Sequence, residues 1–210
     1  LNDSEKGIPL AIMDCTWLSA MRTGAVTGVG ARYMARPDSK SVAMIGAGVQ
    51  ARTQLAALKV TVPGLEECRA FDIRLSTAEQ FASDMSQELN MNVRAVTTAE
   101  EAVRDADIVV TVTVADEPIV KDAWMKRGSF FSAVGSYQEQ EFAVVENSDR
   151  IVVDSIEAVL HRGTPVIALM SAAGTISIDK VLELGPVVCG DVPGRDTPDE
   201  RVFFSPIGMG

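Results

Sequence analysis

At 210 residues, 47% hydrophobic and 5% aromatic, the chain can bury one substantial core, or one domain plus a fragment of another. A formal net charge of −10 repels phosphate polymers and anionic membranes, which excludes nucleic acid as a partner class. No stretch reaches the ~18 continuous apolar residues of a membrane span, and Leu1–Gly7 lacks the basic and apolar pattern of a secretion signal.

In chain order, residues 8–14 read as a short strand. Residues 16–35 read as a helix carrying Trp17, Leu18, Met21, Val29, Tyr33 and Met34, closed by Pro37. Gly24, Gly28 and Gly30 in this helix each cost roughly 1 kcal/mol against alanine, which implies close packing or the approach of a ligand. From Ser41 the pattern alternates: strand 41–45, helix 50–60, strand 68–72, helix 76–88, strand 92–96, helix 99–104, strand 107–113 and strand 129–134. Alternation of this kind predicts an α/β fold, a doubly wound parallel sheet with helices on both faces. A further strand is expected at 150–154 and a short helix at 155–160. Beyond Gly163 glycines and prolines interrupt the periodic runs, so short elements joined by turns are expected.

The segment Ser41-Val-Ala-Met-Ile-Gly-Ala-Gly-Val-Gln-Ala51 runs from strand through glycine turn into helix, the context a dinucleotide fingerprint requires. Gly46 permits the sharp turn, Gly48 lets the backbone approach a pyrophosphate, and Ala51 allows close packing. Ala47, Val49 and Gln50 complete the turn, where unpaired N–H groups and the positive end of the helix dipole meet the phosphates. Asp72, followed by Ile73 and Arg74, ends the next strand, where a carboxylate can accept ribose hydroxyls. Ligands in such sheets lie beyond the carboxyl ends of the strands. Thr111, Val112, Thr113, Val134, Gly135 and Ser136 are therefore expected near the same crevice.

Other polar residues carry plainer readings beside sharper ones. Arg22 is either a surface helix arginine or a bidentate clamp for a substrate carboxylate. His161, the sole histidine, reads as a helix C-terminal residue, and no G-x-S-x-G elbow supports a hydrolase. Glu139 and Glu141 read first as solvated loop acids, although one carboxylate could reach the crevice. Arg195, Asp196, Asp199, Glu200 and Arg201 read as a solvated surface run. Cys15, Cys68 and Cys189 support neither a disulfide framework nor a metal site, and a reducing cytoplasm fits them.

Ile8–Asp14, Met21-Arg-Thr-Gly-Ala25, Ile45-Gly-Ala-Gly-Val-Gln-Ala-Arg52, Ala106–Thr113 and Ala133-Val-Gly-Ser136 together resemble the ornithine cyclodeaminase and mu-crystallin family over essentially the whole chain. The resemblance implies NAD or NADP as cofactor and hydride transfer at the α-carbon of an amino acid or its imine, of alanine dehydrogenase or ketimine reductase type. By the same resemblance Arg22 holds the substrate carboxylate, and Gly46, Gly48 and Gln50 form the pyrophosphate turn. Asp72 favours NAD, while Arg74 beside it keeps NADP as an alternative. Ser205-Pro-Ile-Gly208 resembles the return segment that approaches the nicotinamide. No catalytic residue is singled out.

Cyclodeaminases of the family carry an aspartate where this chain has Ser136, which favours a dehydrogenase or imine reductase. Ornithine cyclodeaminase and a non-catalytic NAD(P)H-binding protein stand as alternatives. The family's N-terminal region, with a lysine near the reacting carbon, has no counterpart before Leu1, and its C-terminal helix has none after Gly210. The chain is therefore expected to be truncated at both ends. Residues 1–36 would be a remnant of a substrate-binding and dimerisation domain with its linking helix. Residues 37–210 would be the Rossmann-type domain of a cytoplasmic homodimer.

Overall fold

The computed structural model describes residues 1–135 and 138–206. Its strands are β1 Ser41–Ile45, β2 Glu67–Phe71, β3 Asn92–Ala95, β4 Ile108–Thr111, β5 Phe130–Ala133, β6 Arg150–Val153, β7 Val181–Glu183 and β8 Val202–Ser205. They form one 8-stranded sheet in the order β3-β2-β1-β4-β5-β8-β6-β7, parallel throughout. The helices are α1 Thr16–Met34, α2 Val49–Thr61, α3 Leu75–Leu89, α4 Ala99–Val103, α5 Phe142–Glu146, α6 Ile156–Arg162, α7 Val166–Ala172 and α8 Leu184–Cys189.

Side chains alternate across each strand, so the central strands feed two separate cores. Val42 and Met44 of β1 face one layer, where they meet Leu55 of α2, Phe81 of α3, Met34 of α1 and Val187 of α8. Ala43 and Ile45 face the other, with Ala102 of α4, Val145 of α5, Val159 of α6 and Ile167 of α7. The expected doubly wound fold is what forms. The α1 glycines serve packing: a Cβ at Gly24 would lie 2.5 Å from Thr53 O, and one at Gly28 would lie 3.1 Å from Ala57 Cβ. α1 and α2 thus approach backbone to backbone.

The expected strand at 8–14 does not form. A strand persists by pairing, and this segment makes only an isolated antiparallel bridge between Asn2 and Pro9. Its apolar side chains find no core, with Ile12 98% exposed. The tail forms short elements joined by turns, as expected, and two of them are strands of the sheet. β8 inserts between β5 and β6, and Phe203 and Phe204 stack on Phe131 and Phe130 with ring centroids 5.3 and 6.2 Å apart.

Nor is the charge run before β8 simply a solvated surface. Arg201 is buried and donates to Asp122 Oδ1 at 2.5 Å. Arg195 donates to Met34 O at 2.8 Å, tying the tail to the end of α1. These cations fasten an aromatic strand whose neighbours are far away in sequence.

Strand order reverses between β1 and β4. The chain leaves β1 toward β2 and β3, then returns to lay β4 on the other side of β1. Two loops diverge there above the carboxyl ends of adjacent strands and leave a crevice.

Candidate functional site

That crevice has a volume of about 460 Å³ and is lined by Gly46, Ala47, Gly48, Phe71, Asp72, Ile73, Arg74, Val112, Thr113, Val114, Ala115 and Ile119. Gly46 turns at φ +96°, a region that costs an L side chain energy, and a Cβ there would lie 2.9 Å from Val112 O. Its N–H donates to Phe71 O at 2.8 Å. Above Gly48 the space is open, with no atom within 4 Å of a Cβ position. Gly48 is the N-cap of α2, so no side chain caps this helix, and no acid stands in its first turn. The N-terminal N–H groups of α2 are left to bind an anion.

Asp72 closes the turn. Its Oδ2 accepts from the Ala47 N–H and its Oδ1 from the Arg74 N–H, each at 3.0 Å. Each carboxylate oxygen has a second lone pair, so this carboxylate can hold the turn and still accept from a ligand's hydroxyls. Ile73 is 93% exposed at the mouth. The Arg74 side chain is exposed beside Asp72.

On the opposite wall, Thr113 is fixed by a carboxylate from distant sequence. Its backbone N–H and Oγ1 both donate to Glu139 Oε1, the latter at 2.7 Å, and the Gly135 N–H donates to Glu139 Oε2 at 3.0 Å. Glu139 is fully buried, which corrects its expectation as a solvated loop acid. Burial raises its pKa above the ordinary 4.5, and the hydrogen bonds from Thr113 and Gly135 only partly oppose this. Among the described residues it has no ion-pair partner. It is brought inward because Ile119 and Val120 donate their N–H groups to Glu139 O, with Val120 and Gln140 forming a parallel bridge. Glu141 is likewise engaged, accepting from the Asp122 N–H at 3.0 Å.

The remaining expected residues fall into three groups. Val49 is exposed on the first turn of α2, and Gln50 beside it has a buried Oε1 with no hydrogen-bond partner among the described residues. Thr111, Val134, Gly135 and Ser205 are not among the residues that line the crevice. Thr111 is buried where β4 pairs with Ile45 and Ala133, Val134 donates its N–H to Thr111 O, and Ser205 pairs with Val153 further across the sheet. Ser136 and Gly208 lie outside the described residues.

Arg22 is exposed on α1, is not among the crevice residues, and has no hydrogen bond or ion pair among the described residues. His161 is exposed in the last turn of α6, where its charge suits the helix dipole. Phe71, Val114, Ala115 and Ile119 line the crevice without having been singled out. Val114 and Ala115 could have been taken as the direct continuation of the hydroxyl-ended strand. Ile119 carries no local sign, since its position follows from pairing with Glu139.

The whole chain, residues 1–210, matches the sequence pattern of the ornithine cyclodeaminase/mu-crystallin family. It is 35% identical to an alanine dehydrogenase of Archaeoglobus fulgidus, over 100% of this chain and 64% of the relative. A solved Delta(1)-pyrroline-2-carboxylate reductase of Thermococcus litoralis, in complex with NADH and L-proline, superposes with TM-score 0.91 at 39% identity over 99% of this chain and 65% of that one. An archaeal alanine dehydrogenase dimer with bound NAD superposes with TM-score 0.90 at 33% identity, over 99% of this chain and 64% of that one. The chain thus spans just under two thirds of the length of the proteins it resembles. By sequence over its full length and by fold, it belongs to the ornithine cyclodeaminase/mu-crystallin family.

Proposed function

We propose that this chain provides the NAD(H)-binding part of an oxidoreductase that acts on an amino acid or its imine. The observation that carries the reading is the crevice at the strand-order reversal, with an uncapped helix N-terminus on one side of its glycine turn and the Asp72 carboxylate on the other. The residues present suit a dinucleotide. Gly46, Ala47, Gly48, Val49 and Gln50 would hold the pyrophosphate through their N–H groups, and the partnerless Gln50 amide oxygen is an acceptor left for a water or a ligand hydroxyl to satisfy. Asp72 would take the adenosine ribose, and its negative charge would oppose a 2′-phosphate. The exposed Arg74 favours NADP as a second reading. When bound, the nicotinamide supplies hydride exchange with a substrate carbon.

The chain's own residues would do the orienting. Thr113 would bound the nicotinamide end, backed by Thr111, Val134, Gly135 and Ser205 and joined by Ser136 and Gly208. Arg22, unpaired on α1, would hold the substrate carboxylate in a bidentate pair. Ser136 in place of an aspartate favours reduction or dehydrogenation over ornithine cyclodeamination. Residues 1–36 would link to the rest of a substrate-binding and dimerisation domain. A homodimer is supported by the apolar side chains that α1 exposes, Trp17, Leu18, Met21 and Val29, and by the dimeric archaeal relative. Three free cysteines suit a reducing cytoplasm.

The test is NADH titration followed by NADH oxidation with pyruvate plus ammonia, or with a cyclic ketimine. Proline and ammonia released from ornithine without net NADH change would overturn the oxidoreductase reading in favour of the lyase. Tight NADH binding with no turnover would favour a binding protein. Arg22→Ala is expected to raise KM for the amino acid or imine at least tenfold, the scale of a lost charge-assisted pair, and to leave NADH affinity unchanged.

A further inference from the structure

Glu139 is a carboxylate with neutral donors around it, placed between the loops that follow β4 and β5. Its Oε1 accepts from Thr113 N–H and Oγ1–H, and its Oε2 from Gly135 N–H. Thr113 lines the crevice, and its Cγ2 stands 3.0 Å from where a Cβ of Gly46 would be, so it touches the glycine turn as well. The Thr113 hydroxyl also accepts from Ala115 N–H at 3.1 Å, which passes the constraint to the next wall residue. One buried side chain therefore fixes Thr113, Ala115 and Gly135 relative to one another.

Gly135 adds an independent observation. A Cβ on Gly135 would overlap Glu139 Oε2, with Cδ and Oε1 also in the way. A side chain at this position would have to push the Glu139 carboxylate aside, so glycine is what lets that carboxylate pack against the end of β5, whatever ligand the crevice takes. A glycine at a strand end beside a dinucleotide crevice would ordinarily be assigned to the approach of the cofactor.

We infer that Glu139 is a positioning residue for the nicotinamide end of the crevice, acting through Thr113 and Gly135 without touching the ligand. The inference rests on the cofactor reading above. It distinguishes the two ends of the site: Asp72, bonded to Ala47 and Arg74, would hold the adenosine ribose with no link to Glu139, whereas the β4–β5 wall, which also abuts Gly46, depends on it. Glu139→Gln keeps the volume but puts an NH2 where one of the two oxygens accepted, so either Gly135 N–H or the Thr113 donors lose their acceptor.

The experiment compares dissociation constants for NADH and for ADP-ribose in wild type and Glu139→Gln, well below the melting temperature of each. NADH binding is expected to weaken about tenfold, the scale of one lost buried hydrogen bond to a charged group, while ADP-ribose binding stays within twofold. Equal weakening of both ligands would show a merely structural role, and no weakening of either would show no role. Both results overturn the inference. Should Glu139→Gln fail to fold, Glu139→Asp, which keeps the charge and withdraws it by one methylene, gives the same comparison, and failure of both to fold also overturns it. Wild-type protein that binds neither ligand would instead sink the cofactor reading itself, although the Gly135 constraint can still be read from stability. Gly135→Ala is expected to lower the melting temperature in wild type and to cost markedly less in a Glu139→Ala background.

Discussion

Two buried carboxylates flank β4, and the fold treats them oppositely. Asp107 stands just before the strand, where its Oδ2 accepts from Lys40 N–H, Ser41 N–H and Ser41 Oγ, and its Oδ1 pairs with Lys126 at 2.7 Å and Arg36 at 3.3 Å. Burial alone would raise its pKa, but the bonds from Lys126, Lys40 and Ser41 outweigh this and hold it below the ordinary 3.8. Glu139 receives the strand's other end with neutral donors only, and burial wins. The amino end of the sheet is thus tied by full charges. The carboxyl end, where the crevice lies, is shaped by backbone and hydroxyl groups that leave its electrostatics to a ligand.

Removing the acid at the tied end should cost most. Asp107→Ala leaves two buried backbone donors without their acceptor and takes the buried partner from Lys126 and Arg36, which keep only Asp105 O and the exposed Asp38, and is expected to destabilise the fold by about 3 kcal/mol, read by urea denaturation, with NADH affinity of the folded protein unchanged. A loss under about 1 kcal/mol would show that the ion pairs are surface-like and would break the contrast.

At the crevice end the expected stability effect is smaller and the binding effect larger. Gly46→Ala places a Cβ at positive φ against Val112 O, for a cost of about 2 kcal/mol and loss of NADH binding. An alanine variant that binds NADH normally would remove the glycine turn from the site.

The smallest effect lies in pH dependence, and its sign differs between the two acids. Asp107, with its folded pKa lowered, contributes stability that is present above its unfolded value and lost as pH falls through the folded one. Glu139, with its folded pKa raised, contributes stability that is full below its unfolded value and lost as pH rises through the folded one. Asp107→Asn should therefore flatten the acid limb of the stability profile, and Glu139→Gln the limb above it. Both variants flattening the same limb would refute the opposition.

Much of this was legible in the chain because it depends on near neighbours. The run from Ser41 to Ala51 carries its own strand, turn and helix, and Asp72 follows at the end of the next strand, so the cofactor side of the crevice could be assembled from local pattern. Ile8–Asp14 has the local pattern of a strand for the same reason and fails to form one, since it pairs only through the Asn2–Pro9 bridge and its large apolar side chains stay exposed. Glu139 looked like a loop acid because nothing near it in sequence demands a carboxylate. Two of its three donors lie 26 residues away on Thr113, and its burial depends on the pairing of 119–120 with 139–140.

By itself, then, the sequence determined the alternating α/β order, the glycine turn and the acid that closes it, all set by periodicity and backbone preferences within one or two elements. Tertiary structure alone decided that the aromatic tail strand enters between β5 and β6, that Arg195 and Arg201 are fasteners, and that Glu139 shapes the crevice wall from behind. The physical reason is that a carboxylate or guanidinium looks solvated until the whole fold shows which distant donors and acceptors surround it.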